Sequence, residues 1–371
     1  MTIYDEILSF IESPEPARFE SLALTVFGHQ FNGIPAYREF CLGLGARPDT
    51  VRSLDQIPAI STTAFKYAEL GAPVTPGDVG RIFTTSGTTS GTDQRGHHRV
   101  PRLDVYHASA LRHVGRMMFH DGVRMRMLSL HPTAERMPES SLGQMISWIV
   151  AEFGDGETLC AADRERVESA AAVEFLSAAE RSDERVCLMG TTASFGALFE
   201  ELRARRRRLG LARGSRLMDT GGAKGQTVPL GAQEFVDCAS RLLGIEPAFV
   251  INEYGMTEMC SQMYDATLFN SDRNDPPNER RKLGPPWLDA AVVDPISLQR
   301  VPDGTPGLLR FFDMANVGSV SAILTGDLGI VQGGMVRVLG RTEGGGERGC
   351  ALGIEQFADR GANKAPADRV R

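Results

Sequence analysis

The densest chemistry in this chain lies in a run of small hydroxyl residues and glycines. In IFTTSGTTSGTDQRGHHR (82–99), an apolar, strand-like entry meets Thr84, Thr85, Ser86, Gly87, Thr88, Thr89, Ser90, Gly91 and Thr92 in succession. Such residues let a backbone turn tightly and aim N–H and O–H groups at an anion. His97, His98 and Arg99 follow and can add positive charge. The P-loop pattern G-x-x-x-x-G-K-[ST] is absent. The run therefore reads either as another kind of phosphate cradle or as a flexible linker. A second segment, INEYGMTEMCSQMY (251–264), offers Tyr254 to stack on a base, Gly255 for close approach, Thr257 to bond a phosphate and Glu258 to hold Mg²⁺. Taken alone, it is equally a strand–turn–helix junction. In LTGDLG (324–329) a turn would present Asp327, whose carboxylate can accept two hydrogen bonds from a vicinal diol such as ribose. Two smaller pieces complete the set. DTGGAKGQ (219–226) has glycines that admit a flat ring beside Lys224, and Gly340-Arg341 supplies a guanidinium suited to phosphate or ribose.

These segments need a scaffold, and the hydrophobic pattern predicts one. Ile3, Ile7, Leu8 and Ile11 recur at helical spacing until Ser13-Pro14, and a second helical stretch covers 16–30. Residues 1–80 thus read as a helical cap with loops, including IPAISTTAFK (57–66). Across 81–286, β-like runs (MLSL at 127–130, VCLMG at 186–190, RLMD at 216–219, AFVIN at 248–252) alternate with amphipathic helices at 162–181 and 195–208. Phe195, Leu198, Phe199 and Leu202 form one apolar face of the latter. That alternation predicts an α/β fold with a largely parallel sheet covered on both faces, which places the motifs at strand ends, where open sheets bind ligands. From 287 to 360, short strands punctuated by Gly, Pro and Asp predict a small β-subdomain. The Ala/Pro/Arg/Asp tail 361–371 has no apolar period and is expected to be disordered. The basic run 203–208 reads as a solvated helix end complementing the dipole, with a phosphate patch as the other reading.

Composition narrows the function. At 371 residues, 42% hydrophobic and 23% charged, the chain is of ordinary soluble make-up, and its formal net charge of −7 provides no large positive field for nucleic-acid backbones. Six scattered cysteines without a C-x-x-C pair predict free thiols and a cytoplasmic setting. No basic n-region opens the chain and no apolar run reaches the length of a membrane span. Lysine occurs only at Lys66, Lys224, Lys282 and Lys364, so a mechanism that needs one has few candidates. Gly344 to Gly349 fits G-x-G-x-x-G literally but opens no β-α-β unit. The histidines show no metal-ligand spacing.

In series, TTSGTTSG, TGGAKG, NEYGMTE, LTGDLG and GR resemble the successive core motifs of the acyl-adenylate-forming superfamily. Together with IPAISTTAFK, YGMTEMCSQMY and ERGCAL they resemble above all the acyl-protein synthetase (LuxE-like) family, the ATP-using component of bacterial luminescence fatty-acid reductases. The resemblance spans nearly the whole chain. It implies the large N-terminal domain of an adenylate-forming enzyme, with parallel-sheet lobes and a small β-subdomain. It also implies ATP and Mg²⁺ as cofactors. Thr85, Ser86, Gly87, Thr88, Thr89 and Ser90 would hold the ATP phosphates, Gly221, Gly222 and Ala223 would line the adenine, and Tyr254 would stack on it beside Gly255. Thr257 would contact the α-phosphate, Glu258 would bind Mg²⁺, and Asp327 would bind the ribose with Arg341 nearby.

The sequence departs from the superfamily pattern in two places. The lysine that usually ends the phosphate loop is replaced by TDQRGHH, leaving Arg95 or a histidine to substitute. Only 30 residues follow Arg341, so the usual C-terminal lid and its catalytic lysine are not expected, and Lys66 and Lys224 become candidates for that cation. The family resemblance makes Cys350, in GERGCAL, the residue that would carry the acyl group as a thioester before passing it to an acyl-accepting reductase or carrier protein. It equally reads as an inert thiol. Two other readings remain: a ligase that transfers to coenzyme A or a carrier protein, and a non-catalytic nucleotide-binding scaffold subunit. The small carboxylic acid itself is not identified.

Overall fold

A computed structural model describes residues 1–73, 79–85, 95–221, 230–269 and 275–341, and the chain folds as two compact units. One is built from the described residues up to 105 and from 286 onward, the other from 106 to 285.

The first unit opens with helices α1 (Ile3–Glu12), α2 (Phe19–Gly33) and α3 (Pro35–Gly43). Helix α1 starts in a reciprocal cap. The Thr2 hydroxyl accepts from Asp5 N, and Thr2 N donates in return to the Asp5 carboxylate. Pro35 occupies the first turn of α3, where its missing N–H costs nothing. A short strand β1 (Ile60–Ser61) leads into a helical turn, Thr62–Lys66. Strands β2 (Arg81–Thr84) and β3 (His97–Val100) then form an antiparallel hairpin with Thr84 opposite His97.

Helix α4 (Leu103–Met118) continues the chain, and the second unit follows as alternating strands and helices. These are β4 (Met125–Ser129), α5 (Ser141–Phe153), β5 (Gly154–Cys160), α6 (Ser169–Ser182), β6 (Val186–Thr191), α7 (Thr192–Ala204), β7 (Arg216–Thr220), α8 (Ala232–Leu243), β8 (Val250–Tyr254), β9 (Met263–Asp265) and β10 (Lys282–Leu283). The spatial order is β5-β4-β6-β7-β8-β9-β10, parallel as far as β8 and antiparallel beyond it. The predicted parallel sheet is therefore present. The apolar face of α7 (Phe195, Leu198, Phe199, Leu202) is fully buried in its core with Leu188 and Leu217. Helix α6 is shorter than the 162–181 pattern suggests, because Ala162 and Val167 form an isolated bridge ahead of it.

The last strands belong to the first unit: β11 (Leu288–Val293), β12 (Gly307–Asp313), β13 (Ala322–Gln332) and β14 (Met335–Arg341), antiparallel in that order, with β1 parallel to the start of β13. The segments 1–80 and 287–341, separate in the sequence reading, share this unit. Buried Gln30 of α2 donates to Asn316 O (3.2 Å) and Ser321 Oγ (2.8 Å), and its own carbonyl oxygen accepts from Ser321 N. The Tyr37 hydroxyl donates to Pro58 O (2.7 Å), and the Arg310 guanidinium donates to Ile57 O (2.8 Å).

A buried charge cluster fixes the outer edge of β8. Strand β9 pairs with β8 only at Glu253 and Tyr254, so the peptide groups before them need other partners. The Asp265 carboxylate accepts from Asn252 N (3.0 Å), and Lys282 Nζ donates to Asn252 O (2.9 Å) and to Asp265 (2.7 Å). Arg280 donates to Val250 O (2.7 Å) and Pro247 O (2.9 Å). Asp265 and Lys282 are 4% and 6% exposed. Removing one partner leaves the others buried and uncompensated, which costs about 3–5 kcal/mol. Asp265→Ala is expected to lower the unfolding free energy by about that amount, measured from urea denaturation curves monitored by far-UV circular dichroism.

Candidate active site

Neighbouring strand ends in the second unit assemble a polar cluster. β7 and β8 run parallel with Thr220 opposite Glu253, the residues just before Gly221 and Tyr254. The Thr220 hydroxyl donates to Glu253 Oε2. Asn252 projects the other way and donates Nδ2 to Asp219 Oδ2 (2.9 Å). The Thr192 hydroxyl at the start of α7 bridges Asp219 Oδ2 (2.9 Å) and Gly221 O (2.8 Å). Gly221 has φ +81, a left-handed conformation that favours glycine. After Tyr254 the chain turns, with Met259 N donating to Met256 O (3.2 Å). Thr257 and Glu258 occupy the middle of this turn. Glu258 is 8% exposed. The turn leads back into β9, so no helix follows and the strand–turn–helix alternative does not hold.

Burial sets the electrostatics here. The Asp219 carboxyl is pushed up to about 6 by desolvation, against the hydrogen bonds from Thr192 and Asn252 that favour its ionised form. The Glu253 carboxyl, 3% exposed, is pushed up to about 7 by desolvation, opposed by the Thr220 hydrogen bond and by Lys282. Sequence reasoning passed over both carboxyls, along with Asn252 and Asp265. Their only signal was a polar residue at a strand end facing inward, which a one-dimensional pattern does not distinguish from a solvated one. Lys282 belongs to the charge cluster of β8, so it is removed from the candidate catalytic lysines. His113 and His131 are both depressed to about 4 by burial and stay neutral at pH 7.

The first unit holds a separate group. Asp327, expected in a turn, lies instead within the continuous strand β13, next to a register shift at Leu328–Gly329. The turn-like sequence LTGDLG corresponds to this irregularity, because a shift in pairing tolerates glycines as a turn does. Asp327 stands opposite Arg341 on β14, whose Nε donates to Asp327 Oδ1 (3.0 Å). The Thr325 hydroxyl accepts from Asp327 N (3.1 Å) and donates to Leu309 O (2.9 Å). Thr85 closes the foot of the β2–β3 hairpin. Gly96 N donates to its hydroxyl (2.8 Å) and Thr85 N donates to Gly96 O (3.0 Å). A Cβ at Gly96 would lie 3.1 Å from Thr85 Cγ2 and 3.5 Å from the carbonyl carbon of Phe65, so Lys66 sits at this same foot. His98 is not available to an anion. It is 1% exposed, shares a hydrogen bond with Asn316 Oδ1 (2.8 Å) and meets the Phe65 ring edge-on. Arg99 is ion-paired with Glu69. Arg95 and His97 are exposed. Ser86, Gly87, Thr88, Thr89, Ser90, Gly222, Ala223, Lys224, Cys350 and the tail 361–371 lie outside the described residues.

The strand ends of the parallel segment thus carry hydroxyls, a glycine and carboxyls together. The fold matches the solved 2-hydroxyisobutyryl-CoA ligase in complex with 2-HIB-AMP and CoA, with a TM-score of 0.64 over 90% of this chain and 81% of that one, at 16% identity. The chain belongs to the acyl-protein synthetase LuxE family, whose model matches residues 8–358. It is thus an ATP-dependent, AMP-forming acid ligase. Two curated relatives are named long-chain-fatty-acid–luciferin-component ligase. That of Aliivibrio fischeri is 24% identical over 94% of this chain and 92% of its own length. That of Vibrio harveyi is 23% identical over 89% and 85%.

The raised Glu253 carboxyl has a consequence for stability. Its folded value lies above the unfolded one of 4.5, so the folded state holds the proton more firmly, and that contribution is lost as pH rises through about 7. The melting temperature of wild type relative to Glu253→Gln, followed by calorimetry from pH 5 to 8, is expected to fall progressively and level off above pH 7. A difference that does not change with pH would contradict the burial of an ionisable carboxyl here.

Proposed function

We propose that this chain activates a long-chain fatty acid as its acyl-adenylate, with ATP and Mg²⁺, and passes the acyl group to a protein cysteine thiol. The observation that carries the reading is the Tyr254–Glu258 turn at the carboxyl end of β8, next to the end of β7 that leads into Gly221, in a chain of this family. The relatives' shared name supports the choice of acid, and the family's description supports a protein acceptor.

The residues present suit the nucleotide and the metal. Half-buried Tyr254 offers a ring on which a base can stack. Asp327, oriented by Arg341, is a carboxylate acceptor of the kind that binds ribose hydroxyls. Among the described residues no cluster of three or more His, Cys, Asp and Glu is built to hold a metal by itself. Glu258 alone suits Mg²⁺, which keeps several waters and takes one or two carboxylates plus substrate phosphates. When bound, the metal neutralises charge on the phosphates.

In the first step an oxygen of the fatty carboxylate attacks the α-phosphorus. The bond from that phosphorus to its bridging oxygen breaks, and pyrophosphate leaves. Thr257 would donate to the α-phosphate, and the loop Thr85–Ser90 would hold the β- and γ-phosphates. Lys66 and Lys224, with Arg95, are the cations assigned to the developing negative charge. Such chemistry runs on positioning and fixed dipoles rather than on covalent participation by the protein. In the second step a cysteine thiolate, assigned to Cys350, attacks the acyl carbonyl. The thioester forms, AMP departs, and a reductase or carrier partner then receives the acyl group. Among the described residues no helix is long and apolar enough to cross a membrane.

Intact-protein mass spectrometry after incubation with ATP, Mg²⁺ and fatty acids of graded length tests this directly. A hydroxylamine-labile acyl adduct is expected with long-chain acids and lost in Cys350→Ala. Pyrophosphate release without an adduct would transfer the second step to an external thiol such as coenzyme A. No carboxylate-dependent pyrophosphate release across the panel would refute adenylation. In the same assay Asp327→Ala is expected to raise KM for ATP about tenfold with little change in KM for the acid, the signature of a lost ground-state contact.

A further inference from the structure

Glu253 is a buried carboxyl that the adenylation steps above do not use. Burial raises the group to about 7, so holding a carboxyl here has a desolvation cost. Its contacts point to another purpose. One oxygen takes the Thr220 hydroxyl, immediately before Gly221, on the segment assigned to the adenine. The other oxygen lies over the next turn: a Cβ built on Gly255 would collide with Glu253 Oε1 and come within 3.3 Å of Gln262 Cγ. Gly255 is not among the positive-φ glycines, so nothing in its backbone demands glycine. The nearest atom to a side chain there is the Glu253 carboxyl oxygen. A single carboxyl thus meets both segments assigned to the base, at Thr220 at the end of β7 and at Gly255 just after β8. On its other face the same strand end is tied independently, Asn252 to Asp219 and Asp219 to Thr192.

We infer that Glu253 is a positioning residue for the nucleotide: its carboxyl braces the ends of β7 and β8 against each other and so fixes Gly221 and the Tyr254 ring at the spacing the adenine requires. The inference rests on the adenylation reading and adds a residue to it. Glu253 touches neither acid nor phosphate in this scheme, and its effect passes through the backbone on either side of the base. The brace needs an acceptor for Thr220 and a side chain of this length, not a full negative charge, so glutamine can stand in for glutamate.

The test is acid-dependent ATP–pyrophosphate exchange by the full chain, with KM for ATP, KM for a fatty acid and kcat measured separately. Glu253→Ala is expected to raise KM for ATP about tenfold while KM for the acid stays within about twofold. Glu253→Gln restores KM for ATP to within about threefold of wild type, and Thr220→Val, which removes only the hydroxyl donor, raises it in the same direction as Glu253→Ala. If Glu253→Ala does not fold, Thr220→Val decides alone. An unchanged KM for ATP in Thr220→Val, or a fall in kcat with both KM values unmoved, overturns the inference while leaving adenylation intact. Absence of exchange in the wild type overturns the adenylation reading, and the inference with it.

Discussion

The buried Asp265–Lys282–Arg280 cluster is the constraint on which the second unit's strand-end chemistry depends. A parallel sheet that stopped at β8 would leave the peptide groups of Asn252 and Val250 facing outward without partners, a costly state once covered. Strand β9 is too short to pair with them, so charged side chains take the place of a strand. Asp265 accepts from Asn252 N–H, while Lys282 and Arg280 donate to the carbonyls. This arrangement holds β8 straight up to Tyr254 and releases it into the Thr257–Glu258 turn. It also occupies one of the few lysines of the chain, which explains why a residue so scarce here is buried.

The first unit meets the same requirement by a longer route. Its sheet is formed near the C-terminal end of the described chain, yet the side chains that satisfy its loops come from the first forty residues or so. Gln30 satisfies Asn316 and Ser321, and Asn316 in turn holds His98 behind the β2–β3 hairpin. The end of the β2–β3 pair at Thr85 and Gly96 therefore rests on contacts made by residues distant in sequence on both sides. Thr85 and Gly96 lock that end, and Phe65, one residue before Lys66, packs against it.

In both units acidic groups differ by what they touch rather than by where they fall in the chain. Asp265 answers two cations, and Asp327 is oriented by one. Among the described residues, Asp219 and Glu253 have hydrogen-bonding neighbours and no direct cationic partner, and burial lifts both above the usual carboxylate range. Burial thus makes these two strand-end carboxyls hold their protons more firmly than residue type alone suggests.

The local order of motifs and the α/β alternation were legible in the sequence because both are short-range. Hydrophobic period marks strands and helices, and Tyr254, Thr257, Glu258 and Asp327 sit in patterns a few residues long. The sequence could not show that LTGDLG lies inside one long strand, since glycines and an aspartate serve a shift in pairing as readily as a turn. Nor could it show that His98 faces Asn316, that Lys282 is held by Asp265, or that Glu253 spans two strand ends. Each of those depends on a partner far off in the chain or on an adjacent strand. Residue type and spacing determined which groups are present and the class of chemistry they suit. Tertiary structure decided which of them are spent on satisfying buried peptide groups and which are left at the strand ends to act, because only packing sets a group's partners and its exposure to water.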